Sequence, residues 1–93
     1  MEGIRTGRRY VLPEATVVFT RHARAQCAFR SVFRGRQHHI AEALARQYAQ
    51  HQGLCNLIVC DVYEVAAEFL PGRKIVVVTV IYVGSYRRRK VEI

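Results

Sequence analysis

The sequence predicts an α+β domain in β-α-α-β-β-β order, with two helices packed on one face of a small antiparallel sheet. Three observations carry this. A β-branched and aromatic run, Ala15-Thr16-Val17-Val18-Phe19-Thr20, precedes a stretch of helical period. That stretch holds two apolar stripes broken near Gly35. After Gly53 the period switches to strand text that continues through Tyr82. Helices that come in sequence before a meander pack on one side of it.

The elements follow in order. Residues 1–9 (MEGIRTGRR) read as a loose basic arm, and Pro13-Glu14 breaks the chain before the first strand. Thr20 is a natural N-cap for a helix from Arg21 to about Arg34, because its hydroxyl can accept from a free N–H of the first turn. In that helix Ala25, Phe29, Val32 and Phe33 form the apolar stripe, with His22 at its margin and Gly35 at its end. A second helix, about Gln37 to Gln52, buries Ile40, Ala41, Leu44, Ala45, Tyr48 and Ala49. It sets Glu42 and Arg46 four apart on its solvent side. Leu54 to Cys60 is a mostly apolar strand. Val62 to Phe69 alternates, with Glu64 and Glu68 facing one way and Tyr63, Val65, Ala67 and Phe69 the other. Pro71-Gly72 suits a type II turn. Lys74 to Val83 is apolar on both faces and so belongs in the middle of the sheet. Val91-Glu92-Ile93 reads as a last short strand.

Length and composition bound the answer. Ninety-three residues make a single domain, 1–93, with 84–93 as a basic C-terminal segment. A hydrophobic share of 51% excludes a disordered basic tail. The apolar run Ile75–Val83 spans nine residues, far short of the ~20 a membrane helix needs, so no membrane partner is expected. Met1-Glu2-Gly3-Ile4-Arg5 leads into arginines and not into the apolar core of a secretion signal. Three cysteines without a Cys-x-x-Cys pair make a poor disulfide framework and a poor zinc site. A reducing, cytoplasmic setting and no cofactor or metal are expected. His38, His39, His51 and Cys55 can be gathered into a metal site on paper, but their spacing matches no recognised ligand pattern.

Charge is the feature that points to a partner. The chain is +8, and thirteen of its fifteen cations are Arg. Residues 1–36 carry net +6, residues 37–72 net −3 and residues 73–93 net +5. The planar guanidinium grips phosphate at two points, so a polyanion, and nucleic acid first, is the natural partner. A solvated Arg-rich surface is the plainer account of the same numbers.

The element order resembles that of the RelE-type small endoribonuclease toxins. The local text is similar to a toxin-like branch with a strand leading into a T-x-H-A-x-x-R-type helix start and a V-V-V-T-V-type final strand. The matching pieces here are Thr20-Arg21-His22-Ala23-Arg24 and Ile75-Val76-Val77-Val78-Thr79-Val80-Ile81-Tyr82, within residues 15–83. Gln26-Cys27 stands where the pattern has a second cation. The resemblance implies a metal-independent ribonuclease in a sheet-lined cleft, with arginines and a late Tyr or His sharing the chemistry, and restraint by an acidic protein partner.

Cleavage of RNA needs a base for the ribose 2′-hydroxyl, an acid for the leaving 5′-oxygen and cations for the phosphorane. His22 exchanges protons near neutral pH, Arg24 can hold the phosphate, and Tyr82 can donate a proton or stack on a base. These three are the candidate catalytic residues. Arg21, Arg30, Arg34, Tyr86, Arg87, Arg88, Arg89 and Lys90 are the candidate nucleic-acid-binding residues. Each has a duller role open to it: His22 as half-buried packing, Tyr82 as core, and the 87–90 run as a generic electrostatic anchor. Two other functions stay open: an RNA- or DNA-binding domain without catalysis, and a homodimeric interaction module that uses a free sheet edge.

Overall fold

The computed structural model describes residues 8–29 and 34–82, with Phe29, Arg34, Gly35 and Tyr82 described by their backbone. The class is α+β. Strands β1 (Arg8–Val11) and β2 (Thr16–Phe19) precede helices α1 (Arg21–Phe29) and α2 (Arg34–Arg46). A single 3-10 turn, Tyr48–Gln50, leads to β3 (Gly53–Val59), β4 (Tyr63–Leu70) and β5 (Lys74–Tyr82).

The expected order holds from β2 onward, and the arm adds a strand in front of it. Arg8 and Arg9 lie in β1, which pairs antiparallel with β2 through Arg8 opposite Phe19 and Val11 opposite Thr16. The Pro13-Glu14 break is the turn of that hairpin, tied by the Leu12 N–H donating to the Ala15 carbonyl at 3.1 Å.

The sheet order is β1-β2-β5-β4-β3, and it is mixed where an antiparallel sheet was expected. β2 and β5 run parallel, Thr16 beside Lys74 and Phe19 beside Val77. Parallel neighbours need a long connection across a sheet face, and the two helices supply it. Both helices lie on one face, α1 against β5 and β2, and α2 against β2 and β3.

That face holds the core. Val17 and Phe19 of β2, Ile75, Val77 and Val80 of β5, Val65 and Ala67 of β4, and Val59 of β3 are fully buried against Ile40, Ala41 and Leu44 of α2. The alternation expected for β4 is present, with Tyr63, Val65, Ala67 and Phe69 inward. In α1 the buried stripe is Ala23 and Cys27, whereas Ala25 is exposed. The expected stripe through Ala25 is therefore rotated, and Val32 and Phe33 lie outside the described residues. Gly35 belongs to the first turn of α2 and not to the end of α1. Ala49, expected in the core, is exposed on the 3-10 turn.

Two devices hold α1 on the sheet. Thr20 caps it as expected: its Oγ1 accepts from the Ala23 N–H at 3.1 Å, while its own N–H donates to the Val77 carbonyl at 3.1 Å. A β-bulge in β5 sets Ala67 opposite Val77 and Ala66 opposite Thr79, leaving Val78 as the extra residue. Val77 and Val80 consequently both face the core. β2 pairs with β5 only as far as Val77, so among the described residues the rest of β5 has no strand on that side, and the Gln26 Oε1 accepts from the Val80 N–H at 2.9 Å in its place.

Candidate nucleic-acid interface

The face of the sheet away from the helices carries the side chains that alternate with the core. Their rows follow from the registers: Arg9, Val18, Val76, Glu68 and Leu54 lie across the five strands, and Val11, Thr16, Lys74 and Leu70 form the next row. On this face Arg9, Thr16, Val18, Gly72, Arg73 and Lys74 line a cavity of about 280 Å³. It holds three cations and a hydroxyl. Among the described residues that line it there is no carboxylate.

The backbone that carries Arg73 is built for the place. Gly72 and Arg73 both take left-handed conformations, φ 82° and φ 57°. Glycine does so freely, but a side chain costs about 1 kcal/mol or more there. Two hydrogen bonds hold the strained residue. The Arg73 N–H donates to the Tyr48 hydroxyl at 3.0 Å, and the Arg73 carbonyl accepts from the Thr16 N–H at 2.9 Å. Tyr48 in turn donates to the Leu70 carbonyl. The turn is thus pinned to β2 on one side and to the 3-10 turn on the other.

On the far side of the same turn lies a second cavity, about 320 Å³, lined by Tyr48, Ala49, His51, Gln52, Phe69, Leu70 and Pro71. His51 packs on Phe69 at 5.2 Å between ring centroids and Tyr48 on Phe69 at 6.5 Å. This is an aromatic lining beside a cationic one.

Of the residues expected to act, Arg21, His22 and Arg24 are all exposed on the first turn of α1. His22 is therefore not the half-buried packing histidine that its place beside an apolar stripe allowed. Among the described residues, none of α1 lines the cationic cavity. Arg34 opens α2 and Tyr82 ends β5 opposite Tyr63, both placed by their backbone. Arg30, Tyr86, Arg87, Arg88, Arg89 and Lys90 lie outside the described residues, as does the expected strand 91–93. Sequence reading missed Arg9 and the adjacent pair Arg73 and Lys74, which lie far from Arg9 in the chain and meet it only through the β1-β2-β5 order.

Three titratable side chains meet on α2. Glu42, expected to sit with Arg46, lies 3.1 Å from His38 Nε2 and 3.4 Å from His39 Nδ1. His38 also packs edge-on against Tyr10 at 5.4 Å. No group of three His, Cys, Asp or Glu among the described residues is placed to hold a metal ion. Cys60 was expected to lie in the strand with Cys55. It instead follows β3 in a left-handed turn, φ 55°.

All three cysteines are free thiols, and Cys27 is fully buried. Burial pushes its thiol from 9.0 up to about 11. The native state therefore keeps this proton where the unfolded chain loses it. The resulting stabilisation is complete below pH 9.0 and fades as the pH rises through about 11. Chemical denaturation at stepped pH should show that loss between those limits, and a Cys27→Ala variant should lack it. Alkylation of the native protein should spare Cys27 and label it only on unfolding.

Comparison with protein-family models, curated proteins and solved structures finds no match to this chain. No helix of the described residues is long and apolar enough to cross a membrane.

Proposed function

We propose that this chain is a cytoplasmic RNA-binding domain that grips the sugar-phosphate backbone at the cationic cavity. The observation that carries the reading is the convergence of Arg9, Arg73 and Lys74 around one space, with Arg73 held there in a conformation that a glycine would adopt more cheaply. Three cations on two segments suit consecutive phosphates better than they suit one small anion. The Thr16 hydroxyl adds a hydrogen-bonding group to the lining. The aromatic cavity across the turn suits a base stacked on His51 or Tyr48, so a single strand lying over the turn meets both surfaces.

A second reading is a RelE-like endoribonuclease. The β-α-α-β-β-β order from β2 onward and the exposed His22 between Arg21 and Arg24 favour it, and it would bring an acidic protein partner with it. Binding alone is preferred because the described residues of the cavity lining are cations without a proton-transfer group, and His22 stands on the helical layer.

Incubation of the purified chain with labelled RNA in EDTA, beside a His22→Ala variant, separates the two. The binding domain shifts the RNA intact, and equally well in both proteins. Cleavage to a 2′,3′-cyclic phosphate that is lost in His22→Ala would overturn the preferred reading in favour of the nuclease.

A further inference from the structure

The hairpin between β4 and β5 turns through Leu70-Pro71-Gly72-Arg73, and both ends of the turn meet on one side chain from another element. In a four-residue turn the first carbonyl and the last N–H ordinarily bond to each other. Here the Tyr48 hydroxyl stands between them. It donates to the Leu70 carbonyl and accepts from the Arg73 N–H at 3.0 Å. Tyr48 is half-buried in the 3-10 turn before β3, with its ring on Phe69. The ring lines the aromatic cavity, while the hydroxyl holds the backbone of a residue that lines the cationic one.

That hydroxyl decides where Arg73 points. The φ of Arg73 is the rotation between the peptide before it and its own carbonyl, so it is set when both are held. Thr16 holds the carbonyl at 2.9 Å, and Tyr48 holds the preceding peptide through the Arg73 N–H at 3.0 Å. That preceding peptide belongs to Gly72, φ 82°, which takes other conformations freely once released. Arg73 at φ 57° would then relax, because a residue with a Cβ favours negative φ. Its guanidinium would leave the space it shares with Arg9 and Lys74.

We infer that Tyr48 is a positioning residue of the RNA site: its hydroxyl holds Arg73 over the phosphate backbone while its ring forms a wall of the base cavity. This role rests on the RNA-binding reading and adds a single side chain through which the two surfaces are joined. A tyrosine that only closed the hairpin would act alike whichever cations the cavity holds. A positioning tyrosine acts through Arg73 and through no other cation.

Fluorescence anisotropy with a labelled single-stranded RNA, on the full chain at about 0.1 M salt, compares Tyr48→Phe in three backgrounds. Phenylalanine keeps the ring and removes only the hydroxyl. In the otherwise wild-type chain and in Arg9→Ala it should weaken binding by about 3- to 10-fold, the range set by one hydrogen bond. In Arg73→Ala it should change affinity by less than about twofold, since no guanidinium is left to position. Amide exchange reads the same contact without RNA. The Arg73 N–H should exchange about 3- to 10-fold faster in Tyr48→Phe, relative to the Val80 N–H that Gln26 holds. Equal weakening in all three backgrounds would overturn the role of Tyr48 and leave the RNA site standing. So would unchanged binding in Tyr48→Phe while Arg73→Ala still weakens it, or an Arg73 amide that exchanges no faster. Should Arg73→Ala bind RNA as the wild type does, the RNA-binding reading of the cavity fails, and the role of Tyr48 with it.

Discussion

Phe19→Ala should destabilise the domain by about 3–5 kcal/mol, the usual cost of emptying a large aromatic site in a packed core. Phe19 is 0% exposed and stands at the end of β2, where its ring meets Tyr10 of β1 edge-on at 5.6 Å. Its backbone pairs with Val77 on one side and Arg8 on the other. The loss therefore falls where the added hairpin, the parallel pair and the helical layer all join. Domains of this size have only about 5–15 kcal/mol of stability in hand, and each kcal/mol lost lowers Tm by about 4–8 °C. A fall of roughly 15–30 °C is expected by differential scanning calorimetry. Val18→Ala, the next residue but on the face away from the helices and only half-buried, should cost a small fraction of that. Equal losses at the two positions would contradict the assignment of the core to one face.

That assignment was legible in the sequence for the strands and only partly for the helices. β4 alternates cleanly because one of its faces meets the helices, and Glu64 and Glu68 mark the other. β5 reads as central because both of its neighbours are strands over the Lys74–Val77 half. α1 misled because Ala23 and Cys27, its buried side chains among the described residues, are small. Ala23 and Cys27 make a weaker apolar signal than Ala25 and Phe29, and it is the Thr20 cap and the Gln26 contact that set the rotation of the helix on the sheet. β1 was hidden for a similar reason. Arg-Arg-Tyr-Val carries too little period to declare a strand, and it forms one because the Pro13-Glu14 turn folds it back on β2.

The interface was least legible of all. Arg9 and Lys74 are separated by most of the chain, and a parallel pairing between β2 and β5 is not written in any local pattern. One local signal was present: two cations directly after Pro71-Gly72, at the entry to the strongest strand. The polyanion was expected from the excess of Arg, and the residues named for it, Arg21, Arg24, Arg30, Arg34 and the 86–90 run, belong to other parts of the sequence.

Replacing Arg9, Arg73 and Lys74 together with alanine should weaken RNA binding by about 100-fold at 0.1 M salt. Each phosphate contact with a single strand contributes a slope of about −0.7 in log K against log salt, so three contacts account for about two decades between 1 M and 0.1 M. The fold should survive, because Lys74 and Arg9 are exposed and Arg73 keeps its backbone hydrogen bonds as alanine. The loss should be nearly the same for unrelated RNA sequences, since contacts to phosphate carry position and not base identity. Arg21→Ala together with Arg24→Ala, which removes two exposed cations outside the cavity, is the matched control and should have a much smaller effect.

Binding of a phosphate backbone at the cationic cavity is tested most directly by the salt dependence of wild-type binding. Fluorescence anisotropy with a labelled single-stranded RNA should give a log–log slope of about −2 or steeper. It should become shallower by about 2 in the Arg9, Arg73 and Lys74 triple variant. Binding whose slope is unchanged by the triple substitution, or no binding at low salt, would contradict it.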